Sequence, residues 1–536
     1  MSDQKLSLMT RRQFLKLTGT SAAAGLVAAA CAPATPPPPT PAPPTAAAAT
    51  EAPATATPVP AAEAPQAAEI ELVYMYPGTV PADTNLVAEE LSKVTKEKLN
   101  ATVKLQPIDW GSFDQNIKLA SAAGEKVDLQ FTAPWINNYA QNVSNGNLVV
   151  LDDLLPQYAP GLWASMAPTT WDAARVAGKI YGVINQQIQV KDWGISGLRK
   201  DIAEKYKIDL APLKRYEDVE PILKMIKDGE GHPPVVVSQG FSVIWWSEYW
   251  GFDPVVEILS NCTLVAVKYD DPTRKAFNVV ETPEFKQSVE LVRKWKQEGY
   301  LTDPQTTDDA DALIRASQGG EIGFHIMKPG GTEEAKAKYG FDYIAKGMSP
   351  LFLTTAGVTA TLNGISRTCA DPARAMAFLE LLNTDVEFYN LMCNGIEGKH
   401  WAWVDKAKKL IGYPQGVTAE TVGYHPNTDW MFGCVFNSYY WTEAAAAENI
   451  WDATRKMNAD AKPSSVLGYA FVQENVKTEM SQITNVVSEM YLPLIEGIAD
   501  VDETLPRLQT ALKDAGLEKV VAEVQKQIDE WAKTKG

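Results

Sequence analysis

The sequence predicts an α/β protein built in more than one lobe, and three observations carry that prediction. From residue 69 onward, strand-like and helix-like patterns alternate, which implies a mostly parallel sheet with helices on its faces. Residues 69 to 536 are too many for one small core. No stretch in that region is apolar enough to cross a bilayer core of about 30 Å.

The N-terminal residues are read apart from the fold. Thr10-Arg11-Arg12-Gln13-Phe14-Leu15-Lys16 resembles a Tat export leader, with its twin arginine followed by Phe-Leu-Lys. Leu17 to Ala30 is apolar over 14 residues, short of the roughly 20 that span a membrane. The run ends in Leu26-Val-Ala-Ala-Ala-Cys31, which resembles a lipobox, although Ala28 stands where a leucine is usual. Lipidation at Cys31 is therefore expected over residues 1–31, with simple peptidase cleavage after Ala-x-Ala as the alternative. Residues 32–68 hold 12 Pro, 15 Ala and 6 Thr, with Val59 as the one larger aliphatic, so they read as a disordered stalk.

The body then runs in order. Glu69 to Tyr76 alternates as a strand and turns at Pro77-Gly78. Leu86, Val87, Leu91, Val94 and Leu99 fit a helical period, and Thr102 to Leu105 forms a second strand. Ser112-x-x-Gln115 is a capping-box signature for the next helix, and Val127 to Phe131 gives a third strand. The strand ends are followed by Tyr76, Trp110, and Trp135 with Asn137, and ligands in such sheets sit beyond those ends. Thr282-Pro283 and Asp371-Pro372 open two further amphipathic helices, and Leu517 to Trp531 makes a last one.

Composition narrows the function. The chain carries a net charge of −17, and loss of the leader makes it more acidic, which argues against nucleic acid and anionic lipid surfaces. His232, His325, His400 and His425 stand far apart, and Cys262, Cys369, Cys393 and Cys434 show no ligand spacing. No metal and no cofactor are expected: glycine-rich phosphate loops are missing, and Asp308-Asp309-x-Asp311 lacks the glycine turn of a calcium loop.

Several segments together carry a family resemblance. "WDAARVAGKIYGVIN" (171–185), "LRKDIAEKYKIDL" (198–210), "ALIRASQGGEIGFH" (312–325) and "PARAMAFLELLNTD" (372–385) resemble the family 1 extracellular solute-binding proteins, sugar-binding components of bacterial ABC importers. Residues 108–143 and 467–497 resemble its LplA-type lipoprotein subgroup, the latter as a C-terminal module of unassigned function. The resemblance implies a two-lobed periplasmic-binding-protein-like α/β fold with hinge crossings near 182–190 and 353–360 and a ligand cleft between the lobes. It divides the chain into lobe I at 69–186 and 353–405, and lobe II at 187–352 and 406–536, the last including the C-terminal module. It also implies a monomer, exported and held at the outer face of the cell membrane by the lipid at Cys31, that passes an oligosaccharide to transmembrane permease subunits.

Aromatic residues supply the candidate site, because an indole face matches the C–H face of a sugar while amides and carboxylates take its hydroxyls. "SVIWWSEYWGF" (242–252) offers Trp245, Trp246, Glu248 and Trp250, and the same slab of rings also suits a core. Gln186, Gln187 and Trp193 stand at the first crossing, and Trp401, Trp403 and Trp430 follow later. With Tyr76, Trp110, Trp135 and Asn137 these are the expected ligand contacts, and no catalytic residue is expected. Two other functions fit the same aromatics: a secreted glycoside hydrolase, for which Glu248 and Asp253 would be candidate acids, and a binder of peptides or other amphipathic solutes.

Overall fold

A computed structural model describes residues 68–244, 246–258, 262–426 and 429–534, without the side chains of residues 307 and 308. The leader, Cys31, the stalk and Trp245 lie outside the described residues.

Two hydrophobic cores organise the chain. The first begins with β1 (Ile70–Pro77), α1 (Thr84–Leu99), β2 (Ala101–Ile108), α2 (Trp110–Ala123) and β3 (Leu129–Thr132). β1 pairs in parallel with both β2 and β3, as the alternation predicts. Asp109 caps α2 by accepting from the Gly111 amide at 3.0 Å, so the helix starts before the capping box expected at Ser112. That earlier start puts Trp110 in the first helical turn. β4 (Gly182–Ile184) completes this region and the chain then leaves it.

The second core is entered with β5 (Asp192–Arg199) and continues through β6 (Phe252–Ile258), β7 (Cys262–Lys268), α3 (Pro283–Gln297), β8 (Ile322–Met327) and β9 (Tyr343–Gly347). Here the strands pair antiparallel, in a β8-β5-β9 sheet and a second sheet in which Phe277–Asn278 and β6 flank β7. Thr282 caps α3, which buries Phe285, Val289, Val292 and Trp295 on one face.

The chain returns with β10 (Leu362–Ile365), which runs antiparallel between β3 and β4 and closes a sheet of order β2-β1-β3-β10-β4. α4 (Pro372–Thr384) covers it with Met376, Phe378 and Leu379. Tyr424, Met431 and Phe432 are also buried in the first core, with Trp430 packed against it, so these residues pack with lobe I where lobe II is expected. A third passage then leads to α5 (Lys477–Val486), α6 (Val501–Asp514) and α7 (Leu517–Lys533), which complete the second core.

The lobes are thus joined by three crossings, which are bonded to one another. Gln186 donates its backbone N–H to the Gly433 carbonyl at 2.8 Å and accepts from the Val435 amide at 2.9 Å. Val190 bridges Leu353, and Phe352–Leu353 pairs with Lys462–Pro463. Asn458 accepts from the Gln189 amide at 2.8 Å and donates to the Gln187 carbonyl at 2.8 Å. At the closest approach, a Cβ on Gly357 would strike the Gln189 carbonyl. A buried chain of polar groups anchors the crossings in lobe I: the Tyr74 hydroxyl donates to Asn363 Oδ1 at 2.5 Å, Asn363 to Asn185 Oδ1 at 2.8 Å, and Asn185 to the Met431 carbonyl at 2.8 Å.

Candidate functional site

Between the two cores lies a cleft of about 2380 Å³, floored by the crossings and walled by both lobes. On lobe I, three indoles come together from distant parts of the chain. Trp110 stacks on Trp135 with centroids 6.1 Å apart at 25°, and on Trp430 at 6.2 Å and 23°. Trp135 lines the cleft, is 48% exposed, and is aimed by its Nε1, which donates to the Ala360 carbonyl of the second crossing at 2.7 Å. Trp430 also lines the cleft and rests edge-on against Phe131. A large indole left half in water beside a well-filled core suits a ligand face.

Two more aromatic groups line the same cleft. The Tyr413 hydroxyl bonds His425 Nδ1 at 2.9 Å, and the His425 ring stacks on Trp441 at 4.4 Å and 21°. Burial pushes His425 down to about 4, so the ring is neutral at physiological pH and works as a flat surface. Trp441 is fixed by its Nε1 on Asn394 Oδ1 at 3.0 Å. Tyr440 and Trp451 stack at 18°, with Trp451 Nε1 on the Ser438 carbonyl at 2.9 Å. Sequence reasoning missed these five residues. The signal was the run Tyr439-Tyr440-Trp441 just after Trp430, in a stretch lacking a clear helical or strand period.

On lobe II the cleft meets Trp193, Asp253 and Glu257. Trp193 is only 1% exposed and packs edge-on against His325 at 5.4 Å. Burial lifts the Asp253 carboxyl to about 7, helped by the charge of Glu248, while Glu257 on the same strand is exposed. Among the described residues, no group of three or more His, Cys, Asp or Glu is arranged to hold a metal ion.

The expected contacts divide accordingly. Trp135, Gln187, Trp193 and Trp430 line the cleft, and Trp110 stands directly behind two of them. Gln187 donates to Thr361 Oγ1 at 2.5 Å, linking the first crossing to the second. Among the described residues, the others pack or bond elsewhere. Tyr76 is buried edge-on against Phe432 at 4.9 Å, and Asn137 is buried, donating to the Phe131 carbonyl at 2.7 Å to pin the turn after β3. Gln186 bonds Ser165 at 2.9 Å. Trp246 is 2% exposed in the second core against Phe285, and Trp250 packs on that core with its Nε1 on Ser288 at 3.0 Å. Glu248 is buried, accepting from Ser247 at 2.6 Å with Lys191 3.8 Å away. Trp401 and Trp403 join Ile411 and Tyr439 in a small third cluster. The slab of rings at 246–250 is thus core, for a helical face of aromatics buries wherever a sheet is there to receive it.

Two lobes, crossing strands and an aromatic cleft define the architecture of a solute-binding protein. The chain belongs to the bacterial extracellular solute-binding proteins, whose family model matches residues 91–392, and membership carries an extracytoplasmic location. Residues 465–533 match a second family, a domain of unknown function (DUF3502). Among particular relatives, a carbohydrate ABC transporter substrate-binding protein of Streptococcus pneumoniae is 26% identical over 479 residues, covering 87% of this chain and 91% of that one. The crystal structure of the N-glycan transport solute binding protein NgtS from Streptococcus pneumoniae superposes with a TM-score of 0.76 at 24% identity, over 87% of this chain and 100% of that one. NgtS has also been crystallised with Man5GlcNAc. A solute-binding protein from Bifidobacterium longum infantis that binds HMO gives a TM-score of 0.61 at 13% identity, over 86% and 99% of the two chains.

Proposed function

We propose that this chain captures an oligosaccharide in its cleft by lobe closure and delivers it to the permease subunits of an ABC transporter, without catalysis. The observation that carries this reading is the Trp110–Trp135–Trp430 platform, held open to a cleft that both lobes wall. Sugar C–H faces stack on such rings, and ligand contacts available only when both lobes touch stabilise the closed form. The named relatives support the sugar class, and the acidic surface disfavours nucleic acid. Of the Glu248–Asp253 pair that a hydrolase would use, Glu248 is tied to Ser247 and stands outside the cleft lining.

The chain works as a monomer, exported by the Tat route and tethered through lipidated Cys31 and the proline-rich stalk. Mass spectrometry of the processed protein tests the anchor: a diacylglyceryl mass on Cys31 is expected, and a plain amino terminus there or nearby contradicts it. Thermal-shift screening against neutral saccharides and peptides tests the ligand, since bound ligand raises the melting temperature. Stabilisation by saccharides is expected; stabilisation by peptides alone, or cleavage of the sugars, contradicts the reading.

A further inference from the structure

Residues 465–533, which match a domain of unknown function, are not a separate appendage. Val466, Tyr469, Val476, Ile483, Tyr491 and Leu494 share the second core with β7 and α3. The Tyr491 hydroxyl donates to the Thr263 carbonyl at 3.0 Å, and Gln525 accepts from the Ala276 amide at 2.8 Å. α5 has two working faces: Ile483 points into the core, while Lys477, Met480, Ser481 and Thr484 line the cleft at helical spacing. Phe471 and Gln473, just before it, line the cleft too.

On the same lobe the cleft touches Asp253, which is 2% exposed and whose Oδ2 lacks a hydrogen-bond partner. A buried acceptor of this kind gains from any donor a ligand brings. Glu257, also in the lining, accepts from Thr263 at 3.3 Å. The cations nearby are engaged, Lys477 with Glu474 at 2.6 Å and Lys191 with Glu248 at 3.8 Å.

We propose that the C-terminal module is a ligand-binding element: its 471–484 wall, with Asp253 and Glu257, forms a second subsite for neutral, hydroxyl-donating sugar units beyond those stacked on the lobe I indoles. The inference rests on the carbohydrate reading above. Phe471 and Met480 offer apolar faces to sugar rings, while Gln473, Ser481 and Thr484 offer amide and hydroxyl partners. Acidic sugars are disfavoured there, because their carboxylates would meet Asp253 and Glu257 while Lys191 and Lys477 are already paired with Glu248 and Glu474.

The test uses the full chain and calorimetry with three neutral series: mannosyl-N-acetylglucosamines, malto-oligosaccharides and xylo-oligosaccharides. In whichever series gives heat, the shortest and longest binding members are titrated into wild type, Ser481→Arg and Asp253→Asn. Ser481 is exposed, so Ser481→Arg keeps the wild-type melting temperature. Both variants are expected to weaken the longest member by about tenfold and to leave the shortest within about twofold. Unchanged affinity for both lengths in Ser481→Arg, or an equal loss at both, overturns the subsite while leaving the carbohydrate reading intact. Wild type silent toward all three series overturns that reading and this inference together.

Discussion

At the scale of single residues, the difference between a cleft ring and a core ring decides what a substitution does. Trp430→Ala and Trp135→Ala remove rings that face the cleft and are expected to weaken saccharide binding by about tenfold each, with cooperative melting retained. Trp246→Ala instead empties part of the second core and is expected to cost about 3–5 kcal/mol of stability, read as a lowered melting temperature. Normal melting with lost binding in Trp246→Ala would reverse these roles. Asp253 gives a pH signature. Its ordinary value near 3.8 rises to about 7 on folding, so between those limits the native state keeps a proton that the unfolded chain has released. Stability from this group is present at low pH and is lost as pH rises through about 7. Melts of Asp253→Asn and wild type from pH 4 to 8 are expected to show the variant gaining relative to wild type as pH rises, whereas a constant offset would contradict the assignment. His425, held neutral down to about 4, acts in the opposite direction over the more acidic part of that range and is common to both proteins. At this scale Trp135, singled out because it follows a strand end, and Trp430, singled out through the family resemblance, both line the cleft. Sequence reading misplaced Trp246 and Trp250, since periodicity records that a helical face is apolar and not what covers it.

At the scale of elements, the first lobe was the more legible. The parallel β1, β2 and β3 with their intervening helices follow from alternation that needs only local pairing. β10 and the β8-β5-β9 sheet of lobe II were hidden because their partners are distant in sequence: β10 pairs with β3 across more than two hundred residues, and β8 with β5 across more than a hundred. The C-terminal helices show the same dependence, as their apolar faces are completed only by β7 and α3. Ending the chain at Lys462 is therefore expected to abolish cooperative melting of lobe II rather than to release an independent module, and a truncated chain that melts like wild type would contradict this. The crossings make a second case. Gly357→Ala places a methyl against the Gln189 carbonyl and is expected to push the first two crossings apart, lowering both melting temperature and ligand affinity. Unchanged values for both would show that the hinge tolerates the displacement.

At the scale of the whole molecule, the account is one of two cores joined by three mutually bonded passes of chain, with aromatic surfaces on one lobe facing acids and hydroxyls on the other. Such an arrangement favours ligands long enough to touch both walls, and closure should make the particle more compact in small-angle scattering when saccharide is added. The third pass escaped sequence reading because it carries no regular period, and with it went the assignment of Tyr424, Met431 and Phe432 to the first core. The central claim, capture of a sugar in this cleft, is tested most directly by calorimetric titration of the intact chain and its Trp430→Ala variant with neutral oligosaccharides. The account predicts micromolar or tighter binding, about −8 kcal/mol, by wild type and at least about a tenfold loss in the variant; heat absent from every saccharide, or equal affinity in both proteins, would contradict it.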